Sequence, residues 1–199
     1  MTRERERPIM AKINYYEALE ELSRLAAEAV RLGAEGGLSG VGETQNDLRR
    51  RCDRKICELE NALFADFMPP LERDNIAACA HAFSRVIDKA QDISAASLNA
   101  WGVANKWNSE GAVCVKLAEY LVRHTELLRT IRKPKELPDL KGFRSLLAES
   151  RRADAELVRR VNSGALPKSC MRVIILTARL SSELSRAFDE IVEIMLNNI

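Results

Sequence analysis

Two histidines, five cysteines, two tryptophans and one glycine-rich run are the residues that could carry reactive or ligand-binding chemistry in this chain of 199 residues. Histidine can act as a general base or a metal ligand near neutral pH, but a working site also needs a nucleophile, a second acid or base, or further ligands beside it. His81 and His124 stand in separate segments with no histidine next to either, and His124 falls on an apolar helical stripe, where a packed ring with one satisfied hydrogen bond is expected. Cys52, Cys57, Cys79, Cys114 and Cys170 are odd in number, and no pair has the two-residue separation with which thiolates grip one metal or form a redox disulfide. All five read as small core residues in a reducing compartment. The run Gly33 to Gly42, GAEGGLSGVG, would cradle a phosphate only after a strand; it follows a helical stripe and reads as a loose connection. Trp101 and Trp107 flank an interhelix break, where indoles either cover the bundle end or anchor a partner. None of these groupings makes a catalytic centre, and the chain reads as non-enzymatic.

The elements that position these groups are helices. Hydrophobic residues make up 46% of the chain and charged residues 30%, an ordinary globular balance, while nine glycines and six prolines are too few for an all-β chain with many hairpins. Steps of three and four put Tyr15, Leu19, Leu22, Ala26 and Ala29 on one stripe of a helix ending near Leu32. Inside a helix each glycine costs about 1 kcal/mol relative to alanine, so Gly33 to Gly42 is expected to be non-helical. Leu48, Cys52, Ile56, Leu59 and Leu63 predict a second helix from about Glu43 to Phe67, stopped by Met68-Pro69-Pro70. Ile76, Ala80, Phe83, Ile87 and Ala90 mark a third, starting near Glu72. After a break at Asn99 to Asn108, capped by Asn108 or Ser109, a fourth carries Val113, Leu117, Tyr120, His124, Leu127 and Ile131. Lys133 to Pro138 is a linker. A fifth helix, from about Asp139 to Asn162, carries Phe143, Leu147, Ser150, Asp154, Leu157 and Val161. Beyond Gly164 to Pro167, a sixth carries Ile174, Ala178, Ser181, Leu184, Phe188, Ile191 and Met195.

Six long helices whose stripes can be buried only against one another define an all-α fold. Both halves run helix, break, helix, proline-bearing break, helix, so two three-helix-bundle repeats are expected. The first unit would cover residues 13–100 and the second 108–199, as one continuous domain, with residues 1–12 a flexible N-terminal segment. Thirty-one Lys and Arg against 29 Asp and Glu leave a net charge of +2 without marked segregation, which argues against a nucleic-acid binder. The basic runs Leu48-Arg49-Arg50-Arg51 and Arg151-Arg152 read as solvated helix faces. The opening MTRERERPIMAK is charged and leads into no continuous apolar stretch, and no run approaches the roughly 18 apolar residues of a spanning helix. A cytoplasmic protein is expected.

Three groups of residues, taken in order, carry a family resemblance. Glu17-Ala18-Leu19-Glu20-Glu21-Leu22 opens a long helix beside Tyr15-Tyr16; Arg73-Asp74-Asn75-Ile76 follows Phe67-Met68-Pro69-Pro70; and Val86-Ile87-Asp88 lies midway along the next helix. Over nearly the whole chain this resembles the PhoU-like family, in particular the phosphate-transport accessory proteins associated with Pit-type transporters. The resemblance implies a cytoplasmic helical regulator of inorganic phosphate transport that reaches the inner membrane only through contact with a transporter, its membrane partner; a homo-oligomer is compatible with it. A helical scaffold or adaptor of the same fold without a phosphate role is the alternative.

Family members often bind divalent ions through Glu-x-x-x-Asp motifs on several helices, since carboxylates four apart share a helix face and can chelate together. In this chain the positions that match keep only the second acid. Arg49 stands four before Asp53, Ser84 before Asp88, Ser150 before Asp154, and Arg179 before Glu183, and Asn75 stands where the family's turn more often has an acid. Asp53, Asp88, Asp154 and Glu183 are the candidate metal ligands that the resemblance implies. An arginine four residues away pairs with the carboxylate and repels a cation, so no cofactor is expected, and Arg49–Asp53 and Arg179–Glu183 are expected to be surface ion pairs.

Overall fold

The structure is a computed structural model and describes residues 13–35, 41–98 and 108–199. All of its regular elements are helical: α1 (Tyr15–Glu35), α2 (Val41–Ala65), α3 (Arg73–Leu98), α4 (Asn108–Leu127), α5 (Lys141–Asn162) and α6 (Cys170–Asn197), with one 3₁₀ turn at Pro134–Glu136. The expected N-terminal segment 1–12, the centre of the glycine run at 36–40, and Trp101 and Trp107 lie outside the described residues.

Helices α1, α2 and α3 all touch one another, as do α4, α5 and α6, which gives two three-helix bundles. The bundles join where α1 packs on α4 and α3 on α6. Adjacency therefore runs α2–α3–α6–α5 in one layer of four helices, and α1 and α4 cover it as a second layer. One hydrophobic cluster holds buried residues of both bundles, including Leu22 and Phe83 from the first and Leu117 and Leu184 from the second.

Local chemistry explains most of the ends. Arg73 closes the α2–α3 turn: its guanidinium donates to the carbonyls of Leu63 at 2.8 Å, of Phe67 at 3.2 Å, and of Asp66, satisfying acceptors that the end of α2 leaves open. Helix α5 ends in a glycine cap. Gly164 adopts φ +78°, where a side chain is strained, and the Leu166 amide turns back to the Arg160 carbonyl at 3.1 Å.

Three expectations need correction. Helix α1 does not stop at Leu32 but continues through Gly33 to Glu35, and α2 begins at Val41 and includes Gly42. Gly33 faces α3 so closely that a Cβ there would lie 3.2 Å from the Ala90 carbonyl oxygen; the small residue serves helix packing, which outweighs its poor propensity. Helix α4 ends at Leu127, yet Ile131 is buried beyond it, and Asn198, which caps the end of α6, donates to the Leu128 and Ile131 carbonyls at 3.4 Å each. Finally, Cys57 is exposed while the other four cysteines are buried; it lies one position past Ile56 and so leaves the buried stripe.

His124 is packed as expected. Its Nδ1 lies 2.8 Å from the Tyr120 carbonyl, its ring stacks on Tyr120 at 5.0 Å and meets Phe188 edge-on at 5.2 Å, and Phe188 stacks on Phe143 at 3.8 Å. Burial pushes its pKa below the ordinary 6.5, with the Tyr120 carbonyl opposing and Arg123 adding to the shift. Below pH 6.5 the unfolded chain therefore binds a proton that the native state resists, and stability declines as pH falls through that value. Urea titrations between neutral and mildly acidic pH should show this decline, and the His124→Gln variant should flatten it.

Gly142 lets Tyr120 take its place in this group, because a Cβ there would collide with the Tyr120 hydroxyl. Gly142→Ala should destabilise by about 1–3 kcal/mol, the usual cost of overpacking, even though helix propensity alone favours alanine. A rise in the urea midpoint would contradict this.

Candidate functional site

The four-helix layer gives each candidate acid its own helix: Asp53 on α2, Asp88 on α3, Glu183 on α6 and Asp154 on α5. Two of the four converge on one group. Arg49 lies 3.2 Å from Asp53 within α2 and 2.7 Å from Asp88 across on α3, and it donates to the Ser84 hydroxyl at 2.7 Å and the Ser84 carbonyl at 3.3 Å. The two acids thus share a guanidinium, and Ser84 orients it. Sequence spacing gives the pair within α2. It does not give Asp88 or Ser84, which meet Arg49 only because α2 and α3 are neighbours.

Burial is the largest influence on Asp88 and raises its pKa above 3.8; Arg49 and then Lys89 pull it back, while Asp53 and Asp92 push it up. Beneath this group lies Cys52, fully buried, whose thiol burial pushes up to about 11. It is a neutral thiol at pH 7 and a poor nucleophile or ligand. Cys79 is likewise buried, and its pKa is raised by desolvation first and Glu190 second.

The second half is arranged differently. Glu183 does not pair with Arg179: Arg85 of α3 meets it at 3.0 Å and Arg186 at 3.5 Å, correcting the expected pair within α6. Arg179 instead lines a cleft of about 460 Å³ with Arg172, Asp92, Ile175 and Leu176. Asp154 is half-buried on α5, one turn beyond Ser150, whose hydroxyl lies 2.8 Å from that of Ser181. The residue missed by spacing is Arg85, and only the α3–α6 contact reveals its role.

Three of the four acids are engaged by arginines in this arrangement. A guanidinium occupies the space between Asp53 and Asp88, another is bonded to Glu183, and among the described residues no group of three His, Cys, Asp or Glu side chains is placed to hold a metal. Chelation of a hard cation needs several oxygens around one point, and here the convergent group already carries positive charge. His81 stands apart, its Nε2 at 3.1 Å from Glu60.

No protein-family model matches the sequence, and no curated protein matches it. Solved structures do. One is a PhoU-like protein of Shewanella oneidensis MR-1, with a TM-score of 0.65 and 16% identity over 92% of this chain and 100% of that one. A second, described as a PhoU-like phosphate regulatory protein of the same organism, has a TM-score of 0.64 and 15% identity over 94% of this chain and 100% of its own. The fold is PhoU-like. At these identities the likeness lies in helix order and packing, so the chemistry of the PhoU-like layer must be read from this chain's own side chains. They form a band of charge in which two arginines, Arg49 and Arg85, join neighbouring helices through carboxylates.

Two outcomes follow from the Arg49 group. Replacing Arg49 by Gln removes the charge that holds the Asp88 pKa down, so NMR titration of the Asp88 carboxyl should show its midpoint moving upward. Because a raised acid pKa means that the unfolded chain gives up its proton first, the variant's loss of stability should grow as pH rises through that interval. Calorimetric titration with manganese, zinc and iron should give weak binding or none for the native chain and stronger binding for Arg49→Glu, which exchanges the internal cation for a further ligand. Stoichiometric metal retained by the native chain through gel filtration, and lost on Asp88→Ala, would show that the guanidinium does not exclude it.

Proposed function

We propose that this chain is a non-enzymatic regulator of inorganic phosphate transport, acting by contact with a membrane phosphate transporter of the Pit type. The observation that carries the reading is the PhoU-like fold, matched over more than nine-tenths of the chain, together with the description of one such neighbour as a phosphate regulatory protein. The convergent charges of the four-helix layer are engaged with one another, His124 is packed among aromatic rings, and Cys52 is a protonated thiol.

No described helix is long and apolar enough to cross a membrane. In this reading the regulator meets the bilayer through the transporter, with the chain on its cytoplasmic side. Asp53, Asp88, Asp154 and Glu183 serve, in this reading, to set the charge and rigidity of the four-helix layer.

Phosphate uptake in a deletion strain, measured under phosphate-rich and phosphate-poor conditions, tests the proposal. Altered uptake restored by the native gene is expected. Unchanged uptake under both conditions would overturn the transport role and leave a helical scaffold of the same fold.

A further inference from the structure

The α2–α3 turn leaves three large apolar side chains in water. Phe64, Phe67 and Met68 are 87%, 90% and 79% exposed, more than any other large hydrophobic residue among those described. Exposed apolar groups clustered in this way mark interaction sites more often than scattered ones do.

The turn is also held in shape. Arg73 bonds the carbonyls of Leu63, Asp66 and Phe67; the Asp66 carboxylate accepts the Met68 amide and the Tyr15 hydroxyl, each at 3.2 Å; and Pro69-Pro70 restrict the chain that follows. Holding the backbone of the turn in place beforehand reduces the ordering cost of binding. Clefts flank the turn on two sides. One of about 410 Å³ is lined by Ile13, Tyr15, Tyr16, Met68 and Pro70 among others, and one of about 420 Å³ by Pro70, Leu71, Glu72, Asn75 and Ile194 among others.

Charge identifies the occupant. Of the five carboxylates between Glu58 and Asp74, Glu58 pairs with Lys55, Glu60 with His81, and Asp66 bonds within the turn, which leaves Glu72 and Asp74 beside Arg73, whose guanidinium faces backbone carbonyls. Glu72 and Asp74 are exposed beside the rings. An acidic rim around an apolar centre is repelled by anionic lipid headgroups and complements a segment that is both apolar and basic. Membrane proteins display such segments, because their cytoplasmic loops are enriched in Lys and Arg.

We propose that Phe64, Phe67 and Met68, with the exposed acids Glu72 and Asp74, form the docking surface for a basic, apolar cytoplasmic segment of a membrane transporter. This rests on the transport reading for the identity of the partner, but not for the chemistry of the surface.

The test uses the full chain and a fluorescent helical peptide of leucine and lysine, with a leucine–glutamate peptide as its counterpart. The native chain should bind the first and not the second, and Phe67→Ser or Phe64→Ser should weaken binding by about tenfold or more, as loss of an interface hot spot does, without moving the melting temperature. Glu72→Gln with Asp74→Asn should weaken binding and reduce its salt dependence. Equal binding by native and Phe67→Ser chains would overturn the proposal, as would Phe67-dependent sedimentation with phosphatidylglycerol vesicles in place of peptide binding. Uptake separates the two readings. If deletion alters phosphate uptake but a Phe64→Ser, Phe67→Ser gene restores it fully, the docking surface fails and the transport role stands. If deletion changes nothing while peptide binding depends on Phe67, the transport role fails and the surface stands.

Discussion

The fold depends on covering α1 and α3 on two sides each. Helix α3 buries Ile76, Cys79, Ala80, Ala82, Phe83, Val86, Ile87, Ala90 and Ile93, a band far wider than one neighbour can hide. Helix α2 buries a single stripe through Leu48, Cys52, Ile56, Leu59 and Leu63. A three-helix unit alone would therefore leave apolar surface of α1 and α3 in water, and α4 and α6 supply the cover. The narrow-striped helices α2 and α5 are left at the edges of the layer. Charges then collect on outer faces and along the seams between bundles. At the α1–α4 seam Glu20, largely buried, is bonded by Arg129 at 2.7 Å and Arg24 at 3.2 Å, and Arg24 continues to Glu126 at 2.9 Å. At the α3–α6 seam Arg85 and Glu183 do the same. The arginines stay partly in water, so each buried carboxylate has a partner without full desolvation of both ions.

Periodicity made the helices legible because each burial stripe repeats in the sequence at the spacing it has in space. Six elements, their approximate ends and the packed state of His124 all follow from steps of three and four residues. Local rules misjudged Gly33, since the reason for a glycine there lies on α3, at Ala90, and no property of the neighbouring sequence points to it. Cys57 was misplaced by residue type, although its position relative to Ile56 already put it off the stripe. Width of the stripe was a further signal: the dense apolar run of α3 against the sparse one of α2 distinguishes a central helix from an edge helix.

The candidate site was legible only along single helices. Arg49–Asp53 is a contact between residues four apart and could be read directly, whereas Arg49–Asp88 joins two helices. The same limit explains Arg179. Four-residue spacing brings it onto the face of Glu183, but Arg85 approaches that carboxylate from α3 and takes the place. Spacing states which partners are within reach, and packing decides among them.

The charged band and the aromatic turn lie on the same two helices but well apart. From Asp53 to Phe64 along α2 is eleven residues, and from Arg73 to Asp88 along α3 is fifteen; at 1.5 Å per residue these are about 16 and 22 Å. That exceeds the screening length of roughly 8–10 Å at ordinary ionic strength, so charge at Arg49 has little direct effect on a ligand at Phe67. Coupling between them would have to pass mechanically, through the relative position of α2 and α3. Arg49 ties the two helices together at one level and Arg73 at the turn, while Gln45, buried nearer the start of α2, donates to Ser94 at 3.2 Å and to the Ala29 carbonyl at 2.9 Å. Three such ties join α2 to its neighbours along its length, and the turn lies at the end that Arg73 closes.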